Sequence, residues 1–140
     1  MIITIVGSSS FVKEMVAYRN QLIKLGHKVN LHKHYIEQAR GKMKDLLERM
    51  KREHAAVKKK YDYIRYHYQE IVSSDAILVL NFDKNGIKNY IGGNTLMELG
   101  FAYVHNKKIF LLNPIPDMPY KDEIEAVGPI VIKGRLDLII

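Results

Sequence analysis

Ile2–Val6 is a β-branched run that stops at Gly7-Ser8-Ser9-Ser10, which predicts a strand followed by a small-residue turn. From Phe11 the apolar positions change period. Phe11, Met15, Tyr18, Leu22 and Leu25 recur at helical spacing, and Gly26 stands where a helix C-cap glycine belongs. Lys28–Leu31 is a short candidate strand. A long helical zone over 38–72 follows. Leu46, Leu47, Met50, Val57, Tyr61, Ile64, Tyr68 and Ile71 form its apolar stripe, with Lys and Arg between them. Apolar positions thin out near 52–58, so the spacing accommodates two helices or one. Ala76–Leu80 is continuously apolar, as suits a strand buried on both faces. After it come a polar loop, Asn81–Gly93, and a helical pattern, Thr95–Asn106. Ile109–Leu112 is a second buried strand, Asn113–Pro119 a stiff loop, Tyr120–Val127 a short helix and Pro129–Ile132 a last strand. The Ile-rich tail Leu136–Ile140 is either ordered on this chain or packed on a partner.

Strands that alternate with helices imply a parallel sheet covered on both faces and joined by right-handed crossovers. The expected fold is α/β, flavodoxin-like (Rossmann-like): a doubly wound five-stranded parallel sheet of order 2-1-3-4-5, with a long helical segment before strand 3. Ligands in such folds bind beyond the carboxyl ends of the strands, near the switch between strands 1 and 3. That rule singles out Gly7–Ser10, Asn81–Gly93 and Asn113–Pro119.

The 140 residues, 47% apolar, suit one domain spanning 1–140 with one sizeable core. The chain has no cysteine, which excludes disulfides, thiolate metal sites and cysteine nucleophiles. No apolar run is long enough for a membrane span, and a soluble cytoplasmic protein is expected. The net charge of +7 raises the question of nucleic acid. Ten Lys or Arg and four acids fall within 40–65, so the basicity belongs to one segment. Lys44–Glu48 and Glu48–Arg52 are i,i+4 pairs, the pattern of a solvated helix face. Nucleic acid is therefore not the expected partner, and the charge instead suits attraction of a phosphorylated small molecule.

The richest stretch for chemistry is Asn89–Ala102. Gly92 and Gly93 let backbone approach a ligand closely, and the helix start after them offers unpaired N–H groups to an anion. Thr95-x-x-Glu98 also reads as a capping box, in which Glu98 would bond back to the Thr95 amide.

Asp75-Ala-Ile-Leu-Val-Leu, a polar loop, Gly93-Asn94-Thr95-Leu-Met-Glu98-Leu-Gly100-Phe-Ala102 and Lys107-Lys108-Ile-Phe-Leu-Leu together resemble the nucleoside 2-deoxyribosyltransferase superfamily. That superfamily includes the 2′-deoxynucleoside 5′-phosphate N-hydrolases. The match covers about residues 75–113, and the first strand and turn fit in outline. The resemblance implies that Glu98 is a nucleophile toward sugar C1′, that a glycosyl ester forms, and that water or a second base resolves it. It also implies a homo-oligomer whose subunits complete each other's sites. Three positions depart from the family. His67 stands where a second catalytic aspartate is usual, Gly92 where the transferases carry an acid, and Thr4 where a first-strand tyrosine aligns.

Gly7-Ser8-Ser9-Ser10 resembles the turn that receives a phosphate in the N-hydrolases. It also reads as a plain turn whose Ser10 caps the following helix. With Gly92, Gly93, Asn94, Thr95 and Asn113 it forms the expected substrate- and phosphate-binding set. His67 is a candidate acid or base and equally a helix histidine packed beside Tyr63 and Tyr66. Asp83, Tyr63 and Tyr66 are candidate cleft residues. His32-x-His34 would place both rings on one face of a strand, but no third ligand is visible and neither metal nor cofactor is expected. The leading expectation is an N-glycosidase or deoxyribosyltransferase-like enzyme acting on a nucleoside or nucleotide. The alternatives are a nucleotide-binding module without turnover and a basic helical nucleic-acid-binding protein. A homo-oligomer joined through 38–72 is expected, because the stripe there exceeds what one sheet face covers.

Overall fold

A computed structural model describes residues 1–41, 48 and 62–140 of the chain. Five strands, β1 Ile2–Gly7, β2 Lys28–Asn30, β3 Ala76–Leu80, β4 Lys108–Leu111 and β5 Ile130–Val131, form one sheet of order β2-β1-β3-β4-β5. Every pairing is parallel. The helices are α1 Val12–Lys24, α2 Lys33–Ala39, α3 Tyr63–Val72, α4 Gly93–Val104 and α5 Lys121–Ala126. This is the doubly wound α/β arrangement that the alternating pattern predicts.

The run Ala76–Leu80 is wholly buried because both its faces are covered. Its period of two divides the core. Leu78 and Leu80 join Ile3, Ile5 and Phe110 beneath Met15 and Leu22 of α1. Ile77 and Val79 face the other way, onto Ile71 of α3, Leu99 and Ala102 of α4 and Ile124 of α5. Leu136 and Ile139 of the tail are buried in the first of these layers, so they pack on the chain's own core.

Several boundaries differ from expectation. Helix α2 starts at Lys33, earlier than the predicted zone, because His32 caps it: its Nδ1 accepts the His34 amide at 2.9 Å. His32-x-His34 is therefore a helix start and not a strand face. The stripe positions Leu46, Leu47, Met50, Val57 and Tyr61 lie outside the described residues, as do most of the basic segment and of the face expected to join subunits. Among the described residues, no helix is long and apolar enough to cross a membrane.

Gly7 pairs with Leu80, so β1 and β3 end side by side. The turn after β1, the loop after β3 and the start of α4 consequently share one end of the sheet, where the switch-point rule places a ligand.

Candidate active site

Glu98 owes its position to where α4 begins. The helix starts at Gly93, with extended Gly92 as its N-cap and no side-chain cap bond. Thr95 is therefore already the third helical residue, and the expected Thr95–Glu98 capping box does not form. Helical side chains lean toward the N-terminus, so Glu98 lies over the first turn of its own helix. Its side chain is 7% exposed, and Oε2 stands 3.4 Å from His67 Nδ1. That oxygen is buried without a hydrogen-bond partner.

Glu98 lines a cavity of about 240 Å³ at the carboxyl end of the sheet. The turn after β1 contributes Gly7, Ser8 and Ser9, and the start of α4 contributes Gly92, Gly93, Asn94 and Thr95. Tyr63, Ile64 and His67 of α3 form one wall, joined by Tyr35 of α2. Met97 and Phe101 lie along α4, and Lys84 and Tyr90 come from the loop after β3. The predicted residues Glu98, His67, Gly7, Ser8, Ser9, Gly92, Gly93, Asn94, Thr95 and Tyr63 thus surround one space.

Four expected residues lie elsewhere. Ser10 is off the cavity and does not cap α1, whose N-cap is Phe11 with no side-chain bond; Ser10 lies instead in a 3-10 turn, Ser9–Phe11, that Ser8 caps, its Oγ accepting the Ser10 amide at 3.3 Å. Asn113 is bound to Asn81: its amide N–H donates to Asn81 Oδ1 at 2.9 Å and its Nδ2 to the Asn81 carbonyl at 3.0 Å. This exchange ties the ends of β3 and β4 and leaves Asn113 structural. Asp83 accepts the Asn89 amide at 3.0 Å and shapes its own loop. Tyr66 packs on His32, with ring centroids 4.4 Å apart.

The wall behind Glu98 is a cluster of imidazoles and phenols. His67 meets Tyr35 edge-on at 6.2 Å and lies 5.9 Å from Tyr66, so it is packed among aromatics and faces a carboxylate at once. His34 Nδ1 and the Tyr63 hydroxyl are 2.7 Å apart. Burial pulls His32 down to about 4, helped by His34, His67 and Lys33. Burial pushes the Tyr35 phenol up, with the charge of Glu98 and then Tyr63 acting in the same direction. Tyr35 therefore keeps its phenolic proton in the cavity that it lines with Glu98. Among the described residues, no three His, Asp or Glu side chains are grouped to hold a metal.

Sequence reasoning missed Tyr35, Lys84 and Tyr90. Lys84 was reachable, since it lies in a loop that the topology singles out. Its Nζ donates to Ser8 Oγ at 2.7 Å and sits 5.3 Å from the Tyr90 ring centroid. Nothing local marks Tyr35, which reaches the site only through the packing of α2.

Comparison with protein-family models, curated proteins and solved structures finds no match to this chain.

Proposed function

We propose that the chain cleaves the N-glycosidic bond of a nucleoside or deoxynucleoside 5′-monophosphate, with Glu98 as nucleophile, in the manner of the superfamily that residues 75–113 resemble. The observation that carries this reading is the buried oxygen of Glu98, without a hydrogen-bond partner, in a cavity shared with Ser8 and Ser9. A buried carboxylate oxygen with no donor is costly in a resting protein and suits a site that receives an electron-deficient centre. In the proposed reaction Oε2 attacks C1′ as the C1′–N bond breaks, and its electron pair leaves with the base. The base gains a proton, and water then hydrolyses the glycosyl ester, restoring the carboxylate. The proposed proton donor is His67, which is 3.4 Å from Glu98 and aligns in sequence with the family's second acid. The serine turn and the Gly92–Asn94 helix start supply amides and hydroxyls for the phosphate.

The test is incubation with a panel of nucleosides and their 5′-monophosphates, with free base measured by chromatography. Release is expected from at least one monophosphate, and Glu98→Gln should lower it by about a thousandfold or more. Equal release by the variant, or none by wild type on any substrate, overturns catalysis. Binding that persists without release would leave a nucleotide-binding module.

A further inference from the structure

The cavity holds one carboxylate, Glu98, which faces His67 at 3.4 Å, and one ammonium, Lys84, which faces no carboxylate of the described residues. Lys84 is the only lysine or arginine among the described residues that line it. No carboxylate of the described residues forms an ion pair with Lys84, and none joins it to Glu98. A half-buried ammonium without a counter-ion is destabilising unless something supplies the charge.

The hydrogen bonds of Ser8 say what that something is. A hydroxyl offers two acceptor sites and one donor. Ser8 Oγ accepts from Lys84 Nζ and from the Ser10 amide, so both acceptor sites are in use. What Ser8 has left is its O–H, and Lys84 has N–H groups beyond the one given to Ser8. What Lys84 and Ser8 have left are donors and a positive charge, so the ligand portion that fits between them is an anion that accepts hydrogen bonds. Lys84 is also held in place. Its backbone bonds Ile87 in both directions at 3.0 and 2.9 Å, closing a tight turn over Asn85 and Gly86. Phe82, two residues before it, packs edge-on against Phe11 at 5.2 Å.

We infer that Lys84 is the specificity-determining residue for a terminal phosphoryl group, and that it sets the direction in which the substrate lies. With the anionic end drawn to Lys84 and Ser8, the electron-deficient sugar carbon is left for Glu98. This rests on the proposed glycosidase reading for the identity of the nucleoside. The charge assignment of the cavity does not depend on turnover. Inorganic phosphate shares the chemistry of a nucleotide's phosphate, and the experiment separates the two.

Calorimetric titration of the full chain with deoxynucleosides, their 5′-monophosphates and inorganic phosphate tests it. Wild type should bind at least one monophosphate about tenfold or more tightly than its nucleoside. In Lys84→Met, which keeps the stem, that ratio should collapse to about threefold or less, with the loss confined to the monophosphate. Lys84→Arg should preserve the preference, and Lys84→Gln provides a second neutral variant should the methionine misfold. A wild type without preference, neutral variants with unchanged preference, or a loss shared by nucleoside and monophosphate overturns the assignment. So does inorganic phosphate binding more tightly than every monophosphate. Because binding is read without turnover, absent base release with a Lys84-dependent preference removes only the glycosidase reading. Base release with a preference indifferent to Lys84 removes only this one.

Discussion

At Glu98 an offset of three residues in the helix cap changes what one side chain can do. Had α4 begun after Thr95, the carboxylate would have been consumed by the Thr95 amide. With Gly92 as the cap it is buried, its Oε2 has no hydrogen-bond donor, and it lines a cavity. His32 is the reverse case, a side chain fully occupied by structure. Its ring caps α2 in the neutral form, and protonating Nδ1 would remove the acceptor. Its value falls from 6.5 in the unfolded chain to about 4 in the folded one. Between these values the unfolded state binds the extra proton, so stability is full above 6.5 and declines as pH falls toward 4. After allowance for partial exposure the loss is about 1–2 kcal/mol. Denaturant unfolding at about pH 7 and about pH 4.5 should show His32→Asn, which keeps a capping oxygen, losing less stability than wild type. An equal loss in both would remove His32 from the acid response. At this scale residue identity was readable, and the environment of each side chain was not.

Among the elements, the turn after β1 has the least freedom. Gly7 has φ +154°, and a Cβ there would meet the Leu80 carbonyl oxygen at 2.9 Å. That oxygen belongs to β3 and cannot step aside without disturbing the sheet. Gly7→Ala should cost about 2 kcal/mol or more and displace Ser8. Chemical denaturation should show the first effect, and weakened monophosphate binding by the folded fraction the second. Unchanged stability would mean that the turn can relax. In the facing loop, Asn85 and Gly86 take positive φ values of 54° and 73°, the paired left-handed residues of a tight hairpin. Asn-Gly is a turn signal in the bare sequence, and the loop was expected there. Its role in aiming Lys84 was not visible, because the turn and its target Ser8 are far apart in the chain.

For the molecule as a whole, the site exists because β1 and β3 are neighbours in the sheet, and the order β2-β1-β3-β4-β5 opens a crevice above them. The clasp between Asn81 and Asn113 keeps the rim of that crevice closed on the β4 side. Asn81 is fully buried, and its Nδ2 also donates to the carbonyls of Asn113 and Pro114 at 2.9 and 3.1 Å. Asn81→Ala would strand these groups, at a cost of about 2–3 kcal/mol. Thermal unfolding should show the drop, and an unchanged midpoint would mean that water replaces the amide.

The sequence by itself determined the alternation of strands and helices, the sheet order and the placing of Glu98 near a helix start. These follow from period, propensity and connection rules that act between near neighbours. It also marked the serine turn, whose residue types limit what a short loop can do. Tertiary structure alone decided which of two helix starts was used and that Asn113 serves the sheet. It also brought Tyr35 and Lys84 to the cavity. The physical reason is that burial and through-space partners are set by packing between distant segments, and nothing within a few residues of Lys84 or Tyr35 encodes whom they will meet.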